Sequence, residues 1–413
     1  MSSARQALIP TLVIQGSLVV SGILTARLLG PEARGYLALG MLLPTVLTVV
    51  GTLGFPSALA YFVARGGNAV HLSRGVLAFA VALGSLLTAA TALLLVVFFG
   101  HEPPAVFSAV VPTVIVTPLI VFQTMVMALH QGRSDFAAMN ATRVIPFASW
   151  GVGVGLLAAL GSLTLASAYL AFVAAYVISA LIALGSLRRI TFAREGESPP
   201  LRGLLGFGLR GMVGTISPLE NLRLDQLVVG ALQSPFALGI YSTAQAFYTL
   251  PRLLGVNIGM LAYPSVARAD AVQQRMVVTR VVLTSAVAIG AVTAAIMFSL
   301  PFAVPVLFGE AFSPSIPVAE VLMIASFSLA LRRLAADLLR GLGRPGSDSL
   351  VEIASWPVLV IALFYAAEAG PAEVAAAVAA TALSGLVVSL LLLMRAVHRL
   401  PRVATPTEVA VGG

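Results

Sequence analysis

Apolar positions in this chain run on for long stretches instead of alternating with polar ones. Segments such as LVVSGILTARLLG, VLAFAVALGSLLTAATALLLVVFF and VAAAVAATALSGLVVSLLLLM are apolar on every side, and an apolar helix of about 20 residues crosses a bilayer. The pattern predicts about twelve such spans, at residues 6–28, 36–63, 74–99, 106–129, 139–160, 163–187, 204–231, 236–263, 278–300, 317–339, 350–367 and 374–396. Strand-like alternation is missing, which argues against a membrane β-barrel. The sequence therefore reads as an all-α integral membrane protein.

Composition and charge sharpen that reading. Of 413 residues, 59% are hydrophobic and only 10% charged, with a mean hydropathy of +1.01; soluble domains carry about a quarter charged residues. The net charge of +8 follows topology. With the N-terminus inside, one set of loops holds Arg65, Arg74, Arg133, Arg143, Arg188, Arg189, Arg194, Arg202, Arg268, Arg275, Arg280, Arg340 and Arg344, and the tail adds Arg395, Arg399 and Arg402. The other set has Arg27 and Arg34 among Glu32, Glu102, Glu310, Glu368 and Glu373. This positive-inside bias places both termini in the cytoplasm of a multi-pass protein and removes the motive for a nucleic-acid partner. No small-residue cleavage site follows the first span, which reads as an uncleaved anchor. Cysteine is absent, so thiolate metal sites and thiol nucleophiles are excluded. The four histidines, His71, His101, His130 and His398, are scattered near helix ends and read as solvated loop residues. No metal and no cofactor are expected.

The longest polar connection, Ser186 to Gly203, divides the chain. Residues 1–187 form one six-helix lobe, 188–203 a cytoplasmic linker, 204–398 a second six-helix lobe, and 399–413 a cytoplasmic tail. The halves echo one another. GPEARGY carries Pro31 and Gly35, and the helix after it closes on Phe55-Pro56-Ser57; SPFALGIY carries Pro235 and Gly239, and its helix closes on Tyr263-Pro264-Ser265. LHQGRSD, Leu129 to Asp135, is matched by LGRPGSD, Leu342 to Asp348. An even number of spans separates the copies, which makes the repeat parallel. Such repeats set the substrate near the midplane, where the halves meet. Short loops elsewhere leave no room for a soluble catalytic domain.

The blocks LLGPEARGYLALGMLLPTVLTVVGTLGFPSALAYFVAR, LDQLVVGALQSPFALGIYSTAQAFYTLPRLLG and LFGEAFSPSIPVAEVLMIASFSLALRRLAADLLRGLGRPG resemble the polysaccharide-export, Wzx-type flippases of the multidrug/oligosaccharidyl-lipid/polysaccharide exporter superfamily. The resemblance runs over nearly the whole chain. It implies two six-helix lobes around a central cavity, and alternating access that carries a polyprenyl-diphosphate-linked oligosaccharide from the inner to the outer leaflet of a bacterial plasma membrane. It also implies partners among membrane lipids and glycan-assembly enzymes. The peptidoglycan-precursor branch typically has two more helices, so lipid II fits this chain less well.

Such a substrate needs a cationic path, and arginine's planar fork suits phosphate. Arg210, Arg223, Arg252, Arg332 and Arg333 all lie in second-half spans. Arg252, deep and with no acidic residue at i±3 or i±4, is the foremost diphosphate candidate. Arg210 can instead snorkel to the inner interface, and Arg333 can pair with Asp337 at i,i+4. The segment ISPLENLRLDQLVVG places Glu220, Arg223 and Asp225 inside a span, each costing about 2.5–3.5 kcal/mol at mid-membrane. On a continuous helix Glu220 and Arg223 share one face, Asn221 and Asp225 another, with Pro218 introducing a kink. A carboxylate, an amide oxygen and a freed carbonyl suit Na⁺ or a proton, and the resemblance adds that some relatives hold a coupling cation on the seventh helix. Asp225, with Asn221 and Glu220, is the candidate coupling site; a buried ion pair is the competing reading. The alternatives to a flippase are a cation-coupled multidrug antiporter, which would favour acidic cavity residues, a membrane glycan polymerase or ligase, and a non-transporting scaffold.

Overall fold

The structure is a computed structural model that describes residues 2–65, 69–187, 201–213, 217–219, 222–344 and 346–400. Those residues are helical almost throughout and contain no strand. The first helix, α1 (Ser2–Gly51), is two spans joined at Gly30, whose φ of 78° and ψ of 174° break the helix. This backbone region is open to glycine alone, and Pro31 then starts the second half in the position prolines favour. That second span pauses at Thr52–Gly54 and resumes as α2 (Phe55–Ala64). There follow α3 (Ala69–Phe99), α4 (Pro104–Val110) leading by a short 3₁₀ turn into α5 (Val116–Gly132), α6 (Phe136–Ala159) and α7 (Leu165–Leu187).

The second half holds α8 (Leu201–Val213), α9 (Leu224–Leu232), α10 (Pro235–Arg268), α11 (Ala271–Phe308), α12 (Ser315–Gly341), α13 (Gly346–Ala366) and α14 (Pro371–His398). Among the described residues, nine helices are long and apolar enough to span a membrane. One of the nine, Ile9–Gly51, contains two spans, while the seventh is split between α8 and α9 and the eighth is α10. The helices thus fall at the places expected for twelve spans, with α8, α9 and α10 not among the nine. Both copies of the second echo fall where the sequence puts them, between α5 and α6 and between α12 and α13. The expected linker lies largely outside the described residues.

By compactness the chain forms two units. The first holds Met1–Thr243 with Val306–Phe312; the second holds Ala244–Pro305 with the residues from Ser313 onward. In the first, α6 packs against both α1 and α7, and α5 against α2 and α3. Phe55, Leu59, Leu87, Val121, Met125 and Leu129 form one of its cores. In the second, α12 packs along α14, and the most apolar stretch of α12 is 61% buried against 17% for α11. α12 is therefore the more interior of these two helices and α11 the more peripheral. Phe298, Phe302, Phe364 and Tyr365 are exposed, as side chains facing lipid tails would be.

Candidate functional site

The seventh span is broken around its charges. Among its described residues, Pro218 and Leu219 form a turn and α9 begins only at Leu224, with Arg223 in a left-handed conformation at φ 46° and ψ 48°. The Leu222 amide donates to the Ser217 carbonyl and the Leu224 amide to that of Pro218. These bonds satisfy a backbone that a single kink would leave open. The expected pairing of faces required a helix running through 220–225. A helix does not run through Arg223, which is left-handed and precedes the first residue of α9; Glu220 and Asn221 lie outside the described residues.

Asp225 sits in the first turn of α9, 3% exposed. A carboxylate is favoured there by the helix dipole. Tyr241, fully buried on α10, donates its hydroxyl to Asp225 Oδ2 at 2.8 Å, and Gln226 is buried beside it. Gly230 brings α9 close to Leu39 of the second span: a Cβ at Gly230 would lie 2.9 Å from Leu39 Cδ1. The result is a buried carboxylate with one phenolic donor in place, at a helix start inside a membrane span. That chemistry suits a proton or a hard cation. Among the described residues no group of three or more His, Cys, Asp and Glu is placed to hold a metal.

The arginines have different surroundings. Arg252 is partly exposed, with its guanidinium 5.5 Å from the centre of the Tyr248 ring. Ser326 of α12 donates to the Tyr248 carbonyl at 2.5 Å, which fixes the helix turn that carries the pair. Arg332 meets Glu352 of α13 at 2.5 Å, with the two side chains 12% and 14% exposed. Arg333 is 3.6 Å from Asp337, as its spacing suggested, and Arg340 approaches the same carboxylate at 3.0 Å. Arg210, exposed, donates to the Gly206 carbonyl one turn back at 2.9 Å. Arg223 is exposed.

Three groups escaped the sequence reading. His130 is not a solvated loop residue. It is 2% exposed, with Nε2 2.9 Å from Ser186 Oγ and Nδ1 3.4 Å from Asp135, the residue that caps α6. Tyr36 donates to Glu102 at 2.5 Å. Arg34, counted as a loop cation, instead folds back onto the first span and donates from Nη1 to Thr25 Oγ1 at 2.8 Å. The Glu32–Arg34 segment follows Gly30 directly, and a sharp turn there was the one signal that could have placed it against Thr25.

A family model described as "Polysaccharide biosynthesis protein" matches residues 24–317. The chain belongs to that family. No match was found among curated proteins. Solved structures show the fold. An inward-facing multidrug resistance MATE family transporter of the MOP superfamily superposes with a TM-score of 0.73 at 14% identity, over 95% of this chain and 97% of that one. The lipid II flippase MurJ in an inward closed conformation gives 0.65 at 12% identity, over 94% and 88%. A MOP superfamily transporter from Pyrococcus furiosus, described as having a binding pocket of reverse polarity, gives 0.54 at 16% identity, over 94% of each chain. This family member therefore has the two-lobe, twelve-helix fold of those structures and is a multi-pass membrane protein.

Proposed function

We propose that the protein flips a polyprenyl-diphosphate-linked oligosaccharide from the inner to the outer leaflet of a bacterial plasma membrane, by alternating access, with both termini in the cytoplasm. The observation that carries this reading is the polysaccharide-biosynthesis match over residues 24–317 on a fold shared with a lipid II flippase. A transporter that serves polysaccharide assembly must move a glycan that is itself membrane-anchored. Arg252 is the foremost contact for the diphosphate, with Arg223 and Arg210 as further cations on the same chain. Arg332 already faces Glu352 and Arg333 faces Asp337, so the part of Arg332 is to tie α12 to α13 and that of Arg333 to support α12 itself. Asp225, with Tyr241, is the coupling site for Na⁺ or H⁺.

Proteoliposomes containing the protein should translocate a polyprenyl-diphosphate sugar, and cells lacking it should accumulate that intermediate on the inner leaflet. No translocation across several such lipids, together with no accumulation, overturns the reading. The second reading, a multidrug antiporter, draws on the likeness to a MATE transporter. Cation-driven ethidium efflux from the same proteoliposomes would support it.

A further inference from the structure

Arg34 is an arginine of the first half that the fold turns into the protein, and its buried Nε has no hydrogen-bond partner among the described residues. Its guanidinium has five N–H groups. Nη1 is taken by Thr25 Oγ1 at 2.8 Å, and Thr25, fully buried, is itself fixed by donating to the Ser21 carbonyl at 2.7 Å. Nε is buried and has no hydrogen-bond partner among the described residues, and none of the ion pairs found there involves Arg34. Buried donors almost always find a partner, and each exception calls for an explanation, a bound anion or water among them. Tyr36, two residues further along the chain, spends its hydroxyl on Glu102.

The geometry also says which edge is free. With Nη1 held by threonine, the pair left over is Nε and Nη2, whose N–H bonds run parallel and form the side-on fork that binds two oxygens of one anion. That edge lies beside Gly22. A Cβ placed on Gly22 would meet nothing within 4 Å except Arg34 Nη2, at 3.7 Å. Gly22, which has no side chain, adds no cover to that edge.

Depth narrows the anion to a phosphate. Thr25 and Arg34 lie on either side of the Gly30 turn, about 6–8 Å below it at 1.5 Å per residue. With the Gly30 turn at the membrane surface, the hydrocarbon core would begin about that far below it, which would bring the fork to the level of lipid phosphates. We propose that Arg34 and Thr25 form a phosphate-binding site at the turn between the first two spans. Under the orientation proposed above, which this inference uses only to name the side, the site faces the outer leaflet. There it would take a diphosphate after flipping, or the headgroup of a phospholipid.

The test is equilibrium binding of labelled inorganic pyrophosphate to the full chain in neutral detergent, in an Arg252→Gln background that removes the other foremost phosphate contact. Binding should weaken about 10- to 100-fold in Arg34→Gln, as the loss of a charge-assisted bidentate contact implies. Arg34→Lys keeps the charge and loses the fork, and Thr25→Val releases Nη1; both should fall between. These two carry the test if Arg34→Gln does not fold. Dioleoyl phosphatidylglycerol added to the micelles identifies the source. Displacement of pyrophosphate points to a lipid headgroup, and its absence points to the substrate's diphosphate. Equal affinity across the folded variants, or no binding of pyrophosphate or phosphatidylglycerol to the parent protein, overturns the proposal. Flipping does not enter this readout, so a failure of the flippase reading would leave it standing.

Discussion

Gly35 and Gly239 pack backbone against backbone, and each contact mirrors the other. A Cβ built on Gly35 would overlap the Pro235 carbonyl, 2.6 Å from its carbon and 3.0 Å from Gly239 N; one built on Gly239 would overlap the Pro31 carbonyl, 2.8 Å from its carbon and 3.2 Å from Gly35 N. The same spacing of proline and glycine that marks the repeat in sequence thus meets itself in space. Reciprocity of this kind is what a two-fold relation between the motifs requires.

This contact leads to a first prediction. Gly35→Ala and Gly239→Ala should each destabilise the protein, at the about 1–3 kcal/mol typical of overpacking. Because both substitutions force the same two backbones apart, the double variant should lose clearly less than the sum. Thermal unfolding of the four proteins in detergent measures this, and simple additivity would mean that the two glycines do not share one contact.

A second prediction concerns Arg332 and Glu352. Their ion pair is shielded from solvent, and removing one partner strands the other, at about 3–5 kcal/mol for a buried pair. Arg332→Met and Glu352→Leu should each unfold at markedly lower temperature than the parent, while the double variant recovers most of the loss. If the recovered double variant also transports at the parental rate, Arg332 holds helices together and does not contact substrate. A double variant that is stable yet inactive would return Arg332 to the substrate path.

The spans, the repeat and the i,i+4 pair of Arg333 with Asp337 were legible because each is written in local spacing or in hydropathy. What stayed hidden depends on chain reversal. Arg332 meets Glu352 across a helix-to-helix turn, and Asp225 meets Tyr241 only because α9 ends and α10 returns past it. Arg34 looked like a loop cation until the Gly30 turn set it against Thr25. The error at 220–225 has a different cause. Helical angles do not carry through Arg223, which takes a left-handed conformation, and Pro218 marks a break without giving its length. His130 went wrong because a helix end was equated with solvent, whereas Ser186 and Asp135 close over it.

Arg252 gives a third prediction. Its guanidinium lies against Tyr248, an arrangement that orients the fork. Arg252→Gln should reduce transport of a polyprenyl-diphosphate sugar by roughly tenfold or more, since hydrogen bonds to a charged group contribute about 1.5–3 kcal/mol. Arg252→Lys should retain part of the rate, because a point charge still attracts phosphate without binding it bidentately. Initial rates in proteoliposomes, with unfolding temperatures as a control, measure both. A fully active, folded Arg252→Gln protein removes Arg252 from the substrate path.

The last prediction separates the two readings of Asp225. If it is the coupling site, Asp225→Asn should leave the protein folded and transport indifferent to an imposed Na⁺ or H⁺ gradient, since the amide neither binds a proton in this range nor carries the charge that holds a cation. Tyr241→Phe is the more telling variant, because it keeps the carboxylate and removes only the hydroxyl that donates to it at 2.8 Å. A coupling carboxylate that loses this donor should still respond to the gradient, but at a shifted ion concentration or pH. A carboxylate held only as part of a buried structural pair should instead show lower stability in both variants and an unchanged response to the gradient. Transport rates across a series of Na⁺ concentrations and pH values, set beside unfolding temperatures, distinguish the two, and an unchanged gradient dependence in folded Asp225→Asn would take the residue out of the coupling mechanism.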